Sequence, residues 1–480
     1  MRKWIAACSV CVVCLLGSMG VVGSVAAAAS ETVGKTCYLP GHRLPLRCLV
    51  VPVPRDYAHP ERGQIKIHVI VAPAFRENAK PDALYVLAGG PGQSGSSIIP
   101  LLEWGFHRVR ATRDIVIIDQ RGTGRSGKLS CRKIEHSETE EREQAHQELA
   151  ECLKSLKVDF NDYSTDAAAR DIDQVRQALH GQKINLWGAS YGTRLAQAHA
   201  RLFPASVRSM VLDGVVAPQQ NVAMLNLEAQ RALVQLRQQC EQDTQCRTTF
   251  PQFNAQLDGL VVRAASGKEV LSFQHPLTGK TIQRTLELDD VVAPIHALLY
   301  APQRAVRLPW LIMQAAQGNW QPWAAQAYSG GGALDVAAGL YLAVVCAEDW
   351  PYLDAAALQA DQANSFMRDS SAQRLGRSCP LVQVKPRPRA PASQLQTPAL
   401  LLSGQRDPVT PPQQAEQALR LLPQGQHIIA AQLGHGVSYT ACGPKLLRQF
   451  YDDPGKKVDG KCFDTLPAAS FVMSAAGAQP

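Results

Sequence analysis

The stretch INLWGASYGTRLAQAHARLFP, residues 184–204, constrains this chain more than any other. An apolar run of strand character enters the spacing G-x-S-x-G at Gly188, Ser190 and Gly192, and a helical pattern leaves it. A serine on so sharp a strand-to-helix turn is held in a strained backbone conformation with its hydroxyl thrust outward. Neighbouring chain passes so close that only glycine fits two residues to either side. The spacing alone is common by chance. With this strand before it and this helix after it, Ser190 reads as a nucleophile.

Other strand-like apolar runs fall at 65–72, 83–88, 114–119, 207–212, 399–402 and 427–431. Helical patterns lie between them, notably STDAAARDIDQVRQALH at 164–180. There Ser164 or Thr165 can cap the start, and Ile172, Val175 and Leu179 share one apolar face. Strands alternating with helices predict an α/β fold with a mainly parallel sheet covered on both faces. From Pro218 to Pro391 the character changes to Ala-, Gln- and Leu-rich helix, closing in the Pro/Arg run VKPRPRAP. The strand pattern then resumes, so 218–391 reads as a helical cap inserted into a core made of 30–217 and 392–465. The Ala/Ser-rich tail 466–480 is expected to be loose.

A serine hydroxyl needs a base and an orienting acid, and on strand-turn-helix scaffolds these follow the nucleophile in the order acid, then histidine. His435, in the glycine-flanked loop LGHGVS, suits a base. His427 opens the strand HIIAAQ, where a structural role is expected. For the acid, Asp407 in LLLSGQRDPVTPP stands at the carboxyl end of a strand, fixed by a Pro-rich turn. Asp213 in SMVLDG is the rival, with a turn or capping role as its alternative. Thr410 is placed to hydrogen-bond nearby or to shape the turn.

Two further strands end in G-x-G-x-x-G: ALYVLAGGPGQSG at 83–95 and DIVIIDQRGTGRSG at 114–127. That spacing belongs also to dinucleotide-binding turns. Here no clear helix opens at Gly95, and the second run leads into KLSC. Attack on a carbonyl instead creates an oxyanion that needs backbone N–H donors. Tyr191, after the nucleophile, is expected to supply one, and Gly90 of AGGPG the other.

The N-terminus carries Arg2 and Lys3, an apolar run at 5–25 and A-x-A sites at 26–29. This is the layout of a signal peptide over 1–29, and its small-residue exit favours cleavage over a retained anchor. An exported chain, periplasmic or secreted, is expected, without stable membrane insertion after cleavage. Of 13 cysteines, Cys8, Cys11 and Cys14 lie in that segment. The others fall into neighbouring couples: Cys37 and Cys48, Cys131 and Cys152, Cys240 and Cys246, Cys346 and Cys379, Cys442 and Cys462. An even set in an exported chain reads as disulfides closing local loops. No C-x-x-C remains for zinc, and no metal or other cofactor is expected. A net charge of +8 over 480 residues is too dilute for a nucleic-acid footprint.

The motifs AGGPGQSG, DQRGTGRS, GASYGTR, GQRDPVTP and GHG, in this order, resemble those of exported α/β-hydrolases of the tripeptidyl aminopeptidase and prolyl iminopeptidase group. The resemblance runs from about Cys48 to Cys462. It implies an α/β-hydrolase fold with an inserted helical cap, a triad of Ser190, Asp407 and His435, and oxyanion donors at Gly90 and Tyr191. It further implies cleavage of short peptides from a free N-terminus. One departure stands out: Ala88 occupies the place of a histidine that precedes GGPG in the iminopeptidases. An aminopeptidase must also bind an ammonium, and VVCAEDWPY offers Glu348 and Asp349 for it. The same triad would open acyl esters. A silent binding protein has no reason to keep all three triad residues, and an NAD-dependent oxidoreductase is opposed by the glycine-loop context.

Overall fold

The computed structural model describes residues 34–131, 142–328 and 336–475; the segment 1–29 lies outside them. The strands are β1 (Lys35–Cys37), β2 (Leu46–Pro54), β3 (Gln64–Ala72), β4 (Lys80–Leu87), β5 (Arg113–Ile118), β6 (Ile184–Ala189), β7 (Val207–Asp213), β8 (Val270–Gln274), β9 (Thr281–Thr285), β10 (Ala399–Gly404) and β11 (Gly425–Ala430). Nine of them form one sheet in the order β1-β2-β3-β5-β4-β6-β7-β10-β11. From β5 to β11 every pairing is parallel, whereas β1, β2 and β3 add an antiparallel edge. The parallel strands read as unbroken apolar runs because both sheet faces are covered; Leu84 to Leu87 and Leu400 to Leu402 are fully buried.

One face is covered by helices Thr165–Ala178 and Tyr191–Leu202, whose Ile172, Val175 and Leu195 join the core under β4 and β6. The first of these starts where its sequence predicts, with the Ser164 hydroxyl accepting the Ala167 N–H at 3.2 Å. The other face is covered in part by helix Gly443–Asp452, which buries Leu446, Leu447, Phe450 and Tyr451. Each such side chain contributes about 1.5–3 kcal/mol on leaving water.

Residues between β7 and β10 form the insertion. Those two strands pair directly, Ala399 opposite Met210, so the chain leaves the sheet and returns to it side by side. The insertion is not purely helical: β8 and β9 make a separate antiparallel pair, marked by the alternating burial of Leu271 and Phe273 between exposed neighbours. It has its own apolar core, built around Leu233, Leu260, Ile295, Leu308 and Trp323. Helices Ala338–Glu348 and Ser370–Val382 pack instead on the sheet's cluster through Val344, Leu375 and Val382.

The tail corrects the expectation of a loose segment, as far as Ala475. Phe471 is 2% exposed within the insertion's core, the Val472 N–H donates to the Val306 carbonyl at 3.2 Å, and the Ala469 carbonyl accepts from Gln239 at 3.0 Å. Within this Ala/Ser-rich stretch Phe471 is buried, and Ala469 and Met473 pack against the same cluster. The five expected disulfides are all present, each joining nearest neighbours along the chain.

Candidate active site

Ser190 stands between β6 and the helix Tyr191–Leu202 with φ 55° and ψ −126°. This is the left-handed, strained backbone that a nucleophile turn imposes on a non-glycine residue. A Cβ on Gly192 would lie 2.2 Å from the Leu87 carbonyl oxygen, and one on Gly188 would lie 2.3 Å from that of Gly192. The motif's glycines are therefore required by backbone passing through the space where side chains would be. The Ser190 N–H donates to the Asp213 carbonyl at 2.9 Å, tying the turn to the end of β7.

Asp407 follows β10 and is 0% exposed. Its Oδ1 accepts the N–H groups of Val409 and Thr410, both at 2.8 Å, and its Oδ2 accepts the Thr410 hydroxyl at 2.7 Å. The Pro-rich turn thus does hold this carboxylate. The same Oδ2 lies 2.8 Å from Nδ1 of His435, in the loop after β11. Burial of Asp407 opposes its ionisation, but the His435 charge and these donors win and its pKa is lowered. For His435, burial pushes the imidazole pKa down, yet the Asp407 charge and hydrogen bond carry it above the ordinary value. Thr410 Oγ1 is also 3.0 Å from Nδ1, and the His435 N–H donates to the carbonyl of Tyr300 in the insertion at 2.8 Å. In this structure the His435 ring is bonded on its Nδ1 side, and no hydrogen bond joins it to the Ser190 hydroxyl.

The rival residues have other partners. Asp213 accepts from Val437 N–H and from the N–H and hydroxyl of Ser438. His427 Nε2 pairs with the Ser403 hydroxyl at 3.0 Å.

A cavity of about 190 Å³ opens at Ser190, lined also by Gly90, Tyr191, Tyr300, His296 and Arg374. Tyr191 is the first residue of its helix, so its N–H has no partner within the helix. The second glycine loop has a different use. Asp119, at the end of β5, accepts the N–H of Ser96 from the first loop at 2.8 Å and that of Arg125 from the second at 2.9 Å. A Cβ on Gly124 would sit 2.3 Å from that carboxylate. The two loops close around one aspartate rather than a phosphate.

Glu348 and Asp349 do not line the Ser190 cavity. Asp349 is 1% exposed and is gripped by both terminal nitrogens of Arg194, at 2.9 and 3.1 Å. Glu348 accepts from Thr165 through its N–H at 2.7 Å and its hydroxyl at 2.5 Å, and burial raises its pKa. Both face an adjoining cavity of about 320 Å³, and Gln220 lines the two cavities alike. Neither member of the expected acidic pair lines the Ser190 cavity: Glu348 is bonded to Thr165, and Asp349 is neutralised by a buried arginine that the sequence does not pair with it. His296, Tyr300 and Arg374 escape a sequence reading because they sit on insertion helices with no motif around them. Burial holds His296 neutral, with its pKa pushed down to about 4.

A family model described as the alpha/beta hydrolase fold matches residues 82–441. Tripeptidyl aminopeptidase of Streptomyces coelicolor is 33% identical over 193 residues, 36% of each chain. Serine protease Hip1 of Mycobacterium tuberculosis is 30% identical over 202 residues, 38% of this chain and 37% of that protein. Carboxylesterase B of the same species is 36% identical over 191 residues, 36% of each. The chain thus spans little more than a third of the length of the curated relatives it matches. Among solved structures, proline iminopeptidase of Mycobacterium smegmatis aligns over 85% of this chain and 99% of that one, at 15% identity and a TM-score of 0.41. With a strand-turn-helix serine, a sheet in this order and a model matching most of its length, the chain belongs to the α/β-hydrolase family.

Proposed function

We propose that this hydrolase is an exported serine peptidase, an aminopeptidase that releases single residues or short peptides from a free peptide N-terminus. The observation that supports catalysis most directly is the Asp407–His435 pair, in the loops that follow β10 and β11 of the sheet whose β6 leads into a serine held at φ 55°. In this reading the Ser190 hydroxyl attacks the scissile carbonyl while Nε2 of His435 takes its proton. Asp407 fixes the Nδ1–H tautomer and stabilises the imidazolium. The N–H groups of Gly90 and Tyr191 receive the oxyanion, His435 protonates the leaving amine, and water resolves the acyl-enzyme. Catalytic hydrogen bonds in unliganded sites are often long and tighten with substrate.

Peptide substrates are favoured by the names of two relatives, a tripeptidyl aminopeptidase and a serine protease. Glu348 is the residue we assign to the substrate ammonium, reached past Gln220. Asp349, already paired with Arg194, would support it from behind. Export is favoured by five disulfides and by the signal-like pattern at 1–29.

The second reading is a carboxylesterase. It is favoured by the absence of a carboxylate among the described residues lining the Ser190 cavity. The deciding experiment compares a peptide arylamide bearing a free amine with its N-acetylated twin and with a short-chain ester. Loss of turnover on acetylation is expected; indifference to acetylation, with faster ester cleavage, would replace the aminopeptidase by the esterase.

A further inference from the structure

Arg374 stands on the insertion helix Ser370–Val382 and lines the same cavity as Ser190 and Gly90. It is exposed and forms no hydrogen bond or ion pair with a described residue. Its neighbours behave differently: Arg377, on the same helix, pairs with Glu143, and Arg194 pairs with Asp349. The charge of Arg374 is felt by other lining groups: it adds to burial in disfavouring the cationic form of His296, and it opposes the burial that raises the pKa of Tyr341. With His296 neutral and no carboxylate among the described lining residues, Arg374 is the formal charge that a substrate meets there. Gln220 and Ser371 add uncharged polar groups, and Val222, Leu225 and Met367 supply apolar wall.

A guanidinium without a protein partner, set beside apolar surface, is suited to receive a carboxylate through two parallel N–H donors. It repels an ammonium. Arg374 and Ser190 line one cavity of about 190 Å³, small for a ligand site, so a substrate whose carbonyl meets Ser190 occupies the space that Arg374 borders. We propose that Arg374 receives a carboxylate of the substrate, so that the enzyme prefers substrates carrying a negative charge close to the scissile bond. That carboxylate is either an acidic side chain next to the cleaved bond or the terminal carboxylate of a very short peptide. The inference rests on Ser190 as the nucleophile.

Two substrate pairs separate the sources. One compares Glu with Gln next to the scissile bond in otherwise identical arylamides, and the other compares a short peptide acid with its C-terminal amide. The unaltered enzyme is expected to favour the carboxylate member of at least one pair about fivefold to tenfold in kcat/KM, mainly through KM. In Arg374→Ala that ratio falls to near one, and Arg374→Lys restores part of it. Equal rates on both members of both pairs, or a ratio that survives Arg374→Ala, would overturn the assignment. Ser190→Ala is run alongside. If it abolishes hydrolysis while the ratio ignores Arg374, only the carboxylate contact fails; if hydrolysis persists in Ser190→Ala, the catalytic reading itself fails.

Discussion

Oδ2 of Asp213 accepts hydrogen bonds from both the N–H and the hydroxyl of Ser438, at 2.8 and 2.6 Å. Ser438 lies three residues beyond His435, while the Asp213 carbonyl holds the N–H of Ser190 at 2.9 Å. One buried residue therefore braces the nucleophile turn with its main chain and the histidine loop with its side chain. In Asp213→Asn an amide must be set against these N–H donors and loses half its acceptor capacity. A loss of about 1–3 kcal/mol in stability is expected, with a fall in kcat larger than any change in KM. Thermal unfolding and steady-state kinetics check it; unchanged kcat would reduce Asp213 to a purely local role.

Ser190→Ala is expected to lower kcat by a factor on the order of 10⁴ or more, with the circular dichroism spectrum and melting temperature preserved. A fluorophosphonate probe gives a second readout. It should label the unaltered chain on the peptide containing Ser190, and labelling elsewhere would displace the nucleophile.

Asp407 and His435 make opposite demands on pH. His435 must be neutral to act as base, and its pKa lies above the ordinary 6.5. The acidic limb of kcat/KM should accordingly fall above 6.5, and in Asp407→Asn it should shift to lower pH while kcat drops by about 10⁴. Stability follows a different course. The His435 contribution is full below the unfolded value and is lost as pH rises through the raised folded value. The Asp407 contribution is full above its ordinary 3.8 and is lost as pH falls through the lowered folded value. The pair thus stabilises the fold best at mildly acidic pH, where the base is already protonated. Overlaying the melting-temperature and rate profiles tests this; coincident optima would contradict it.

The Cys346–Cys379 bridge joins helix Ala338–Glu348 to helix Ser370–Val382 across 33 residues. Replacing both cysteines by serine is expected to cost about 3–4 kcal/mol. Because these helices carry Glu348 and Arg374, it should also raise KM. Denaturant midpoints measured with and without reductant provide the check.

Gly192→Ala is expected to prevent folding, because its Cβ would be driven into the carbonyl of Leu87 on β4. Overpacking typically costs about 1–3 kcal/mol, and a backbone oxygen cannot rotate away as a side chain can, which puts this contact at the upper end of that range. Soluble expression compared with that of Ser190→Ala reads it out.

Much of the central sheet is legible in the sequence because its strands are short, apolar and bounded by turn residues. The serine turn is legible because backbone crowding leaves glycine no substitute. Asp407 and His435 stand out through chain order and glycine context. β1 and β2 do not, since an edge strand such as LRCLVVPVP, punctuated by prolines, lacks the continuous apolar run of a buried strand. Nor does the β8–β9 pair, whose polar faces break the pattern. The fates of Glu348 and Asp349 turn on Thr165 and Arg194, each more than 150 positions away along the chain. Long-range pairing of that kind has no local signature. Phe471 shows the same limit from the other side: composition describes a segment's average and does not say which of its residues are buried.

The insertion between β7 and β10 puts Ser190 on one side of a long excursion and Asp407 and His435 on the other. None of the five bridges among the described residues ties one side to the other; the widest closes 33 residues. Once the peptide link within the excursion is cut, the two portions of the reaction centre belong to separate molecules joined by strand pairing, buried apolar surface and polar links such as Asp213 to Ser438 and Arg113 to Asp452. Function after such a nick would measure the strength of that adhesion, and mixing separately produced halves would be the direct way to ask whether they find each other.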